Sequence, residues 1–427
     1  MIRSARPGAR PFARSIHCNR SLRLAVALGA SLLVAVALAV EAGTDSSEEL
    51  QPPKRIVTST YRLAVDRWPL PPGTRRPSLD VAGDVLVLAT NDGRFFRSVV
   101  PAAGRRARVD WRELPFSIPI DMQAMERGLG AEWGPALGMR DIYVHMDPAG
   151  SGWDLYALYG VYVAEADCIV TRVGRIDDFL RQAAKAQPER IYETETCLPL
   201  VPAVNRVGGR LAMREGRLLV TIGSPENDKD PRNYPDPSRA VAQRWDSPLG
   251  KVTEIDLDSG TVTHLAAGFR NPQGLYVAND GRVWLTDHGP RGGDELNLLR
   301  EGANYGWPVV TYGTLYSGFT WPLSAESGRH EGFERPVYAW VPSVGISQLV
   351  QLEGAEYGRW QDDLLVTSLK GQTLYRTRVE DGRVVFAEPI PLGHRLRDIV
   401  AVRGNVFIVT DYDMLLRLAP DYGRDSR

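Results

Sequence analysis

Along this chain one arrangement of apolar and polar positions keeps returning. A Gly or Asp is followed by four or five apolar residues, a Thr or Ser, a turn, and a second short apolar run. GDVLVLATNDGRFFRS (83–98) is the first clear example. EGRLLVTIGS (215–224), DGRVWLTDHG (280–289), DDLLVTSLKGQTLYRTRVEDG (362–382) and RGNVFIVTDYDMLLRLAP (403–420) follow. The runs are rich in Val and Leu and are bounded by DG, EG or RG turns, which predicts short strands joined as hairpins. The same hairpin recast at least five times at irregular spacing points to radial repetition, an all-β propeller. A β-sandwich is the alternative, but it has no need of the repetition. IDDFLRQAAKA (176–186) alone has helical spacing, with Phe179, Leu180 and Ala183 on one face. It is expected to be an excursion from a blade.

The N-terminus departs from this pattern. The first 23 residues carry six Arg and no acid, and residues 24–40, LAVALGASLLVAVALAV, carry no charge. As a helix those residues would span about 26 Å, slightly less than a ~30 Å hydrocarbon core. Acids follow at once, so the basic side stays inside and the rest of the chain is expected to be exported, periplasmic or extracellular. Residues 1–42 are a cleaved signal peptide or an uncleaved anchor, and the only membrane contact expected is through them. Residues 43–54 are expected to be a linker, 55–420 the propeller and 421–427 a tail.

Composition narrows the function. The net charge of −1 gives no general affinity for nucleic acid. Forty-one Gly and 30 Pro favour tight turns over long helices. Only five of 51 basic residues are Lys, one of them Lys370. Apart from Cys18 in the leader, Cys168 and Cys197 remain as a pair. Export favours a bridge between them, closing a loop of roughly 30 residues for roughly 3 kcal/mol. Two buried free thiols are the alternative.

Three stretches carry unusual chemistry. In GFRNPQGL (268–275), Pro272 and Gly274 make a turn that presents Arg270, Asn271 and Gln273 from a loop edge. In HGPRGGDELNLLREGANYGWP (288–308), Gly289-Pro290 exposes carbonyls, and Asp294 and Glu295 add hard oxygens. That donor set suits Ca²⁺ better than zinc. A hydrogen-bonded loop without an ion reads equally well from the spacing. The third stretch is split between SLKG (368–371) and HRLRD (394–398), where Arg395 and Arg397 fall on one face of a strand. Solvated edges would explain these cations singly. Convergence of Arg270, Lys370, Arg395 and Arg397 would instead make a pocket that needs a polyanionic ligand.

These blocks, with NYGWP (304–308), Pro342-Ser343 and AVAQRWDSPLGKV (240–252), resemble in content and order the soluble quinoprotein glucose/sorbosone and aldose sugar dehydrogenases. The resemblance covers 201–420 well and 55–200 weakly. It implies a six-bladed β-propeller with pyrroloquinoline quinone (PQQ), a tricarboxylate, on its axis. It also implies PQQ-dependent oxidation of an aldose or related alcohol, with electrons passed to a respiratory acceptor. By motif position Arg270, Asn271, Gln273, Lys370, Arg395 and Arg397 would hold the quinone, and the carbonyls of Gly289 and Pro290 a Ca²⁺. Glu295 and the Tyr305 carbonyl fall where some members keep a second, structural Ca²⁺.

The chain departs from the family at its base. The aldose branch reads HFGGRL where this chain reads RVGGRL (206–211), so Arg206 replaces the His. Arginine accepts no proton near neutral pH, and proton abstraction by a positioned base contributes about 10² to 10⁴-fold. ALGMRD (136–141) stands where the family reads GQGGLLD, so Ala136 replaces a Gln. Arg270, Arg206 and His288 are the candidate catalytic residues, with Asp287 and His145 weaker substitutes for the base. A non-catalytic propeller binding PQQ, a sugar or a protein partner is the alternative function. A calcium-dependent lactonase would need axial carboxylate or amide ligands rather than cations.

Overall fold

The protein was analysed as a computed structural model. It describes residues 53–101, 108–132, 134–147, 150, 152–182, 186–200, 207–225, 240–318, 321 and 329–421. The expected leader or anchor, residues 1–42, lies outside these, as does Arg206. Among the described residues no helix is long and apolar enough to cross a membrane.

Six antiparallel sheets, two of five strands and four of four, are the blades. Blade 1 spans 78–117, blade 2 139–199, blade 3 211–267, blade 4 272–340, blade 5 346–391 and blade 6 396–420. The first strand of each blade packs beside the first strands of its two neighbours, which closes a ring round the axis. Closure is sealed in blade 6, where Arg62–Pro69 from the N-terminal side pairs with Met414–Pro420 from the C-terminal side. Lys54–Val57 adds an outer edge strand there.

The repeated hairpins seen in the sequence are the middle strands of the blades. Val85–Ala89, Arg217–Ile222, Val283–Asp287, Leu364–Ser368 and Asn405–Thr410 are almost wholly buried. A strand covered on both faces needs apolar residues throughout, so it reads as a continuous run. The expected helix over 176–186 does not form among its described residues. Ile176 ends the strand Cys168–Ile176, paired to Leu155, and Asp178 at φ 39° breaks the chain before a single 3₁₀ turn, Phe179–Arg181. Burial of Phe179 in the core outweighs the weak helical periodicity. The α-helix among the described residues is instead Met122–Leu129. The Asp121 carboxylate accepts from the Ala124 N–H at its N-cap, and Ala124, Met125 and Leu129 are buried. Cys168 and Cys197 form a disulfide that pins the turn before Leu198–Pro199 to the third strand of blade 2.

Four inner strands carry a bulge near their start. A bulge adds an unpaired residue and re-aims side chains. The extra residues include Arg140 in blade 2, Gln273 in blade 4 and Arg397 in blade 6. All three line axial cavities.

Candidate functional site

Below the mouth of the axis lies a charged plug. Arg210 donates from Nη1 to Asp141 and Asp398, at 2.8 Å each. Its Nε donates to the Gln273 carbonyl at 2.7 Å and its Nη2 to that of Arg397 at 3.2 Å. Ser78 donates to both carboxylates at 2.9 Å. Five blade starts are thereby tied together, and all four side chains are buried. Burial pushes the Asp141 carboxyl up to about 6 against the pull of Arg210, with Asp398 adding to the rise.

Above the plug is a cavity of about 1250 Å³. Arg76, Arg270, Arg291, Lys370, Arg395 and Arg397 line it, against one carboxylate among the described residues, Asp294. Asn271, Gln273, His288, Gly289 and Pro290 complete the set of interest. The four cations singled out in the sequence therefore do meet in one axial cavity. Arg395 and Arg397 share the buried carboxylate of Asp411, at 2.7 and 2.6 Å. Arg397 also donates to the Gln273 side-chain oxygen at 3.1 Å. The Lys370 ammonium has no hydrogen-bond or ion-pair partner among the described residues.

The loop holding Arg270 and Asn271 is fixed from below by Asp287, whose oxygens accept from the N–H groups of both residues at 2.9 and 2.6 Å. Burial and the neighbouring Glu295 push the Asp287 carboxyl up to about 7. Both its oxygens are nevertheless engaged, and Asp287 does not line the cavity. Arg270 donates to the His288 carbonyl at 2.9 Å and lies over the Trp307 ring. Gly208 allows the close approach opposite this loop, since a Cβ there would lie 2.1 Å from Gln273 Nε2.

Each candidate base has a defined setting. His288 lines the cavity, but its Nε2 donates to the Ile346 carbonyl. That assignment leaves Nδ1 to accept from the Asn271 amide at 3.3 Å. Burial lowers its pKa, keeping it neutral. Both ring nitrogens are thus occupied, so His288 holds the loop rather than a proton in transit. His145 stacks on Tyr143, away from the cavity.

The hard-oxygen residues divide. Asp294 accepts from Ser343 and from the N–H groups of Gly289, Val344, Gly345 and Ile346, so its carboxylate is taken by the fold. Glu295 and Tyr305 do not line the cavity. Glu295 accepts from Asn297 and faces buried His330 at 3.7 Å, while Tyr305 stacks on Phe269. The carbonyls of Gly289 and Pro290 accept no hydrogen bond among the described residues. They fit a Ca²⁺ site as two oxygen donors, with most of its six to eight oxygens left to a ligand and water. Among the described residues no three His, Cys, Asp or Glu side chains are grouped to hold a metal.

Two partners escaped the sequence reading. Arg76 follows a Pro-rich turn at φ 45°, and its N–H donates to the Asp411 carbonyl at 2.7 Å. Burial and Arg397 pull its guanidinium down to about 10. Asp411 sits in an otherwise ordinary strand-end turn. Neither belongs to a recognisable motif, and only the fold brings them to the axis.

Fold and site together define a six-bladed propeller whose axis ends in a cavity lined by six cations among the described residues. The chain belongs to the Glucose / Sorbosone dehydrogenase family, which it matches over residues 133–417. It is 32% identical over 247 residues to the aldose sugar dehydrogenase YliI of Escherichia coli, a match spanning 52% of this chain and 62% of that relative. It shares its fold with the soluble aldose sugar dehydrogenase of Escherichia coli in its apo-form, with TM-score 0.64 and 23% identity over 84% of this chain and 100% of that one. The PQQ-bound aldose sugar dehydrogenase of Streptomyces coelicolor gives TM-score 0.57 and 19% identity over 84% and 98%.

Proposed function

We propose that this chain is a PQQ-dependent sugar oxidoreductase of the exported compartment, with residues 55–420 as its propeller and the N-terminal segment as signal or anchor. One observation carries the reading: among the described residues six cationic side chains line the axial cavity against a single carboxylate that the fold already occupies. Such an excess of positive charge persists when a polyanion completes it. A quinone with three carboxylates fits that requirement, and the family membership supports it. Lys370, Arg395, Arg397 and Arg270 would hold its carboxylates, and Asn271 and Gln273 would hydrogen-bond its edge. The carbonyls of Gly289 and Pro290 would hold a Ca²⁺ against it. When bound, PQQ supplies a two-electron acceptor for hydride from the sugar, and a respiratory acceptor would reoxidise it.

A second reading rests on the missing base. Arg206 replaces the family's His, and both nitrogens of His288 are engaged. The propeller would then bind cofactor, sugar or a protein partner without turnover. Single-turnover spectroscopy on residues 43–427, loaded with PQQ and Ca²⁺ and mixed with a panel of aldoses, separates the two. Reduction of the bound quinone supports the oxidoreductase. A bound quinone that stays oxidised with every sugar supports the binding protein, and failure of PQQ to bind removes the oxidoreductase and leaves only a propeller that binds a sugar or a protein partner. If only the base is lacking, Arg206→His raises the rate of reduction.

A further inference from the structure

Arg140 is the extra residue of the blade 2 bulge, in the position that Gln273 and Arg397 hold in blades 4 and 6. It lines a side recess of about 50 Å³ together with Arg76, Ala136, Gly208, Gln273 and Arg397. Arg76, Gln273 and Arg397 are walls of the main cavity as well, so the recess adjoins it. Its volume is that of one or two waters at ~30 Å³ each, enough for a small anionic group but not for a sugar ring.

The bonding of Arg140 is one-sided. Its Nη1 donates to the Thr171 hydroxyl and the Val207 carbonyl, each at 3.0 Å. Its Nε and Nη2 are shielded from water and have no hydrogen-bond partner among the described residues. The adjacent Asp141 is spent on Arg210, Ser78 and the Leu211 N–H. Burial lowers the guanidinium to about 10, so it remains a cation at neutral pH. The Nε–Nη2 edge presents two parallel N–H groups, the geometry that a carboxylate accepts in bidentate fashion. Two unsatisfied N–H groups on a cation, shielded from water, are costly unless a ligand brings an acceptor to them.

We propose that Arg140, with Arg76 beside it, is an anion subsite that takes the carboxylate of an acidic sugar, making uronic acids rather than neutral aldoses the preferred ligands of the axial cavity. The inference rests on the cavity being a sugar site next to the quinone. Its physical content is separate: a sugar carboxylate enters the recess while the ring stays in the larger cavity. Ala136, where the family pattern has a longer Gln, is one wall of the recess.

Calorimetric titration of the chain with D-glucuronate and with D-glucose, with and without PQQ and Ca²⁺, tests it. The expected result is a preference for glucuronate of about tenfold or more, as for a charge-assisted bidentate contact. Arg140→Gln should abolish that preference and leave glucose binding within about twofold, and Arg140→Lys should restore part of it. The Tm of Arg140→Gln should hold or rise, because a guanidinium with two unsatisfied N–H groups has been removed. Equal binding of the two sugars in the wild type overturns the proposal, as does a preference that survives Arg140→Gln. A drop in PQQ affinity without any glucuronate preference assigns Arg140 to the cofactor and overturns it too. Glucuronate preference in a chain that binds no PQQ would leave the subsite standing and remove the quinone reading instead.

Discussion

Two charged regions lie along the same axis, and they balance their charge in opposite ways. In the plug, one arginine, Arg210, faces two carboxylates, and every polar atom of the group meets a protein partner. At the mouth, among the described residues, six cations face one engaged carboxylate, with Asp411 behind two of them. The plug is complete without a ligand and ties the blades. The mouth keeps more cations than carboxylates among the described residues. The plug's charge is buried and neutralised by the protein itself, whereas the mouth's cations, with Lys370 and Arg291 exposed and only Arg270 buried, gather in a cavity open to a ligand.

The largest test of that contrast is Arg210→Met. Removing the cation strands two buried carboxylates, a change that costs about 3–5 kcal/mol. Asp141 is already pushed up to about 6 by burial, and without Arg210 it would rise further. A raised carboxyl holds its proton in the folded state, so stability falls as pH climbs through that range. The deficit of the variant should therefore be greatest above about pH 6 and shrink toward pH 4. Denaturant melts across pH 4–8 read this directly. A deficit independent of pH would mean that the plug acts by packing, not by charge.

At the mouth, Lys370→Ala should do the reverse. Lys370 has no protein partner among the described residues, so the Tm should stay within about a degree. PQQ affinity, followed by absorbance titration, should fall about 10- to 100-fold for one lost charged contact. A large Tm loss with unchanged PQQ affinity would put Lys370 on the architectural side and break the comparison.

Why the mouth was legible and the plug was not follows from where the residues sit in the chain. Arg270, Asn271, Gln273, Gly289, Pro290, Lys370, Arg395 and Arg397 lie in short loop motifs, where Gly and Pro punctuate the chain and the polar residues stand out. The buried middle strands were legible for the same reason, as apolar runs between turns. The plug was hidden because Asp141, Arg210 and Asp398 sit singly at the starts of three inner strands, up to 257 residues apart. Register, not local pattern, makes them meet. Asp294 and Glu295 show the converse limit. Adjacent carboxylates suggest one cation site, yet in the strand Asp294–Leu298 successive side chains face opposite ways, and the two go to different places. The helix was missed because Gly128 and Gly130 break the sequence pattern of Met122–Leu129, while the Asp121 cap and its buried face stabilise it.

The smallest effect is expected at Asp411, which belongs to the mouth but behaves like the plug. Burial works against its charge, but Arg397, Arg395 and Arg76 outweigh it and hold the carboxyl below its ordinary value of 3.8. A depressed carboxyl contributes stability that is present above that value and is lost as pH falls through the folded pKa. Asp411→Asn should cost about 1–2 kcal/mol at pH 7, between exposed and buried pairs, since Arg395 keeps some solvent access. The cost should fade below pH 3.8. The variant also leaves the mouth with its excess charge undiluted, so a polyanion should repair more of the loss than it adds in the wild type. The gain in Tm on adding saturating PQQ should then be larger for Asp411→Asn than for the wild type. An equal or smaller gain would mean that Asp411 positions Arg395 and Arg397 for the ligand rather than standing in for its charge.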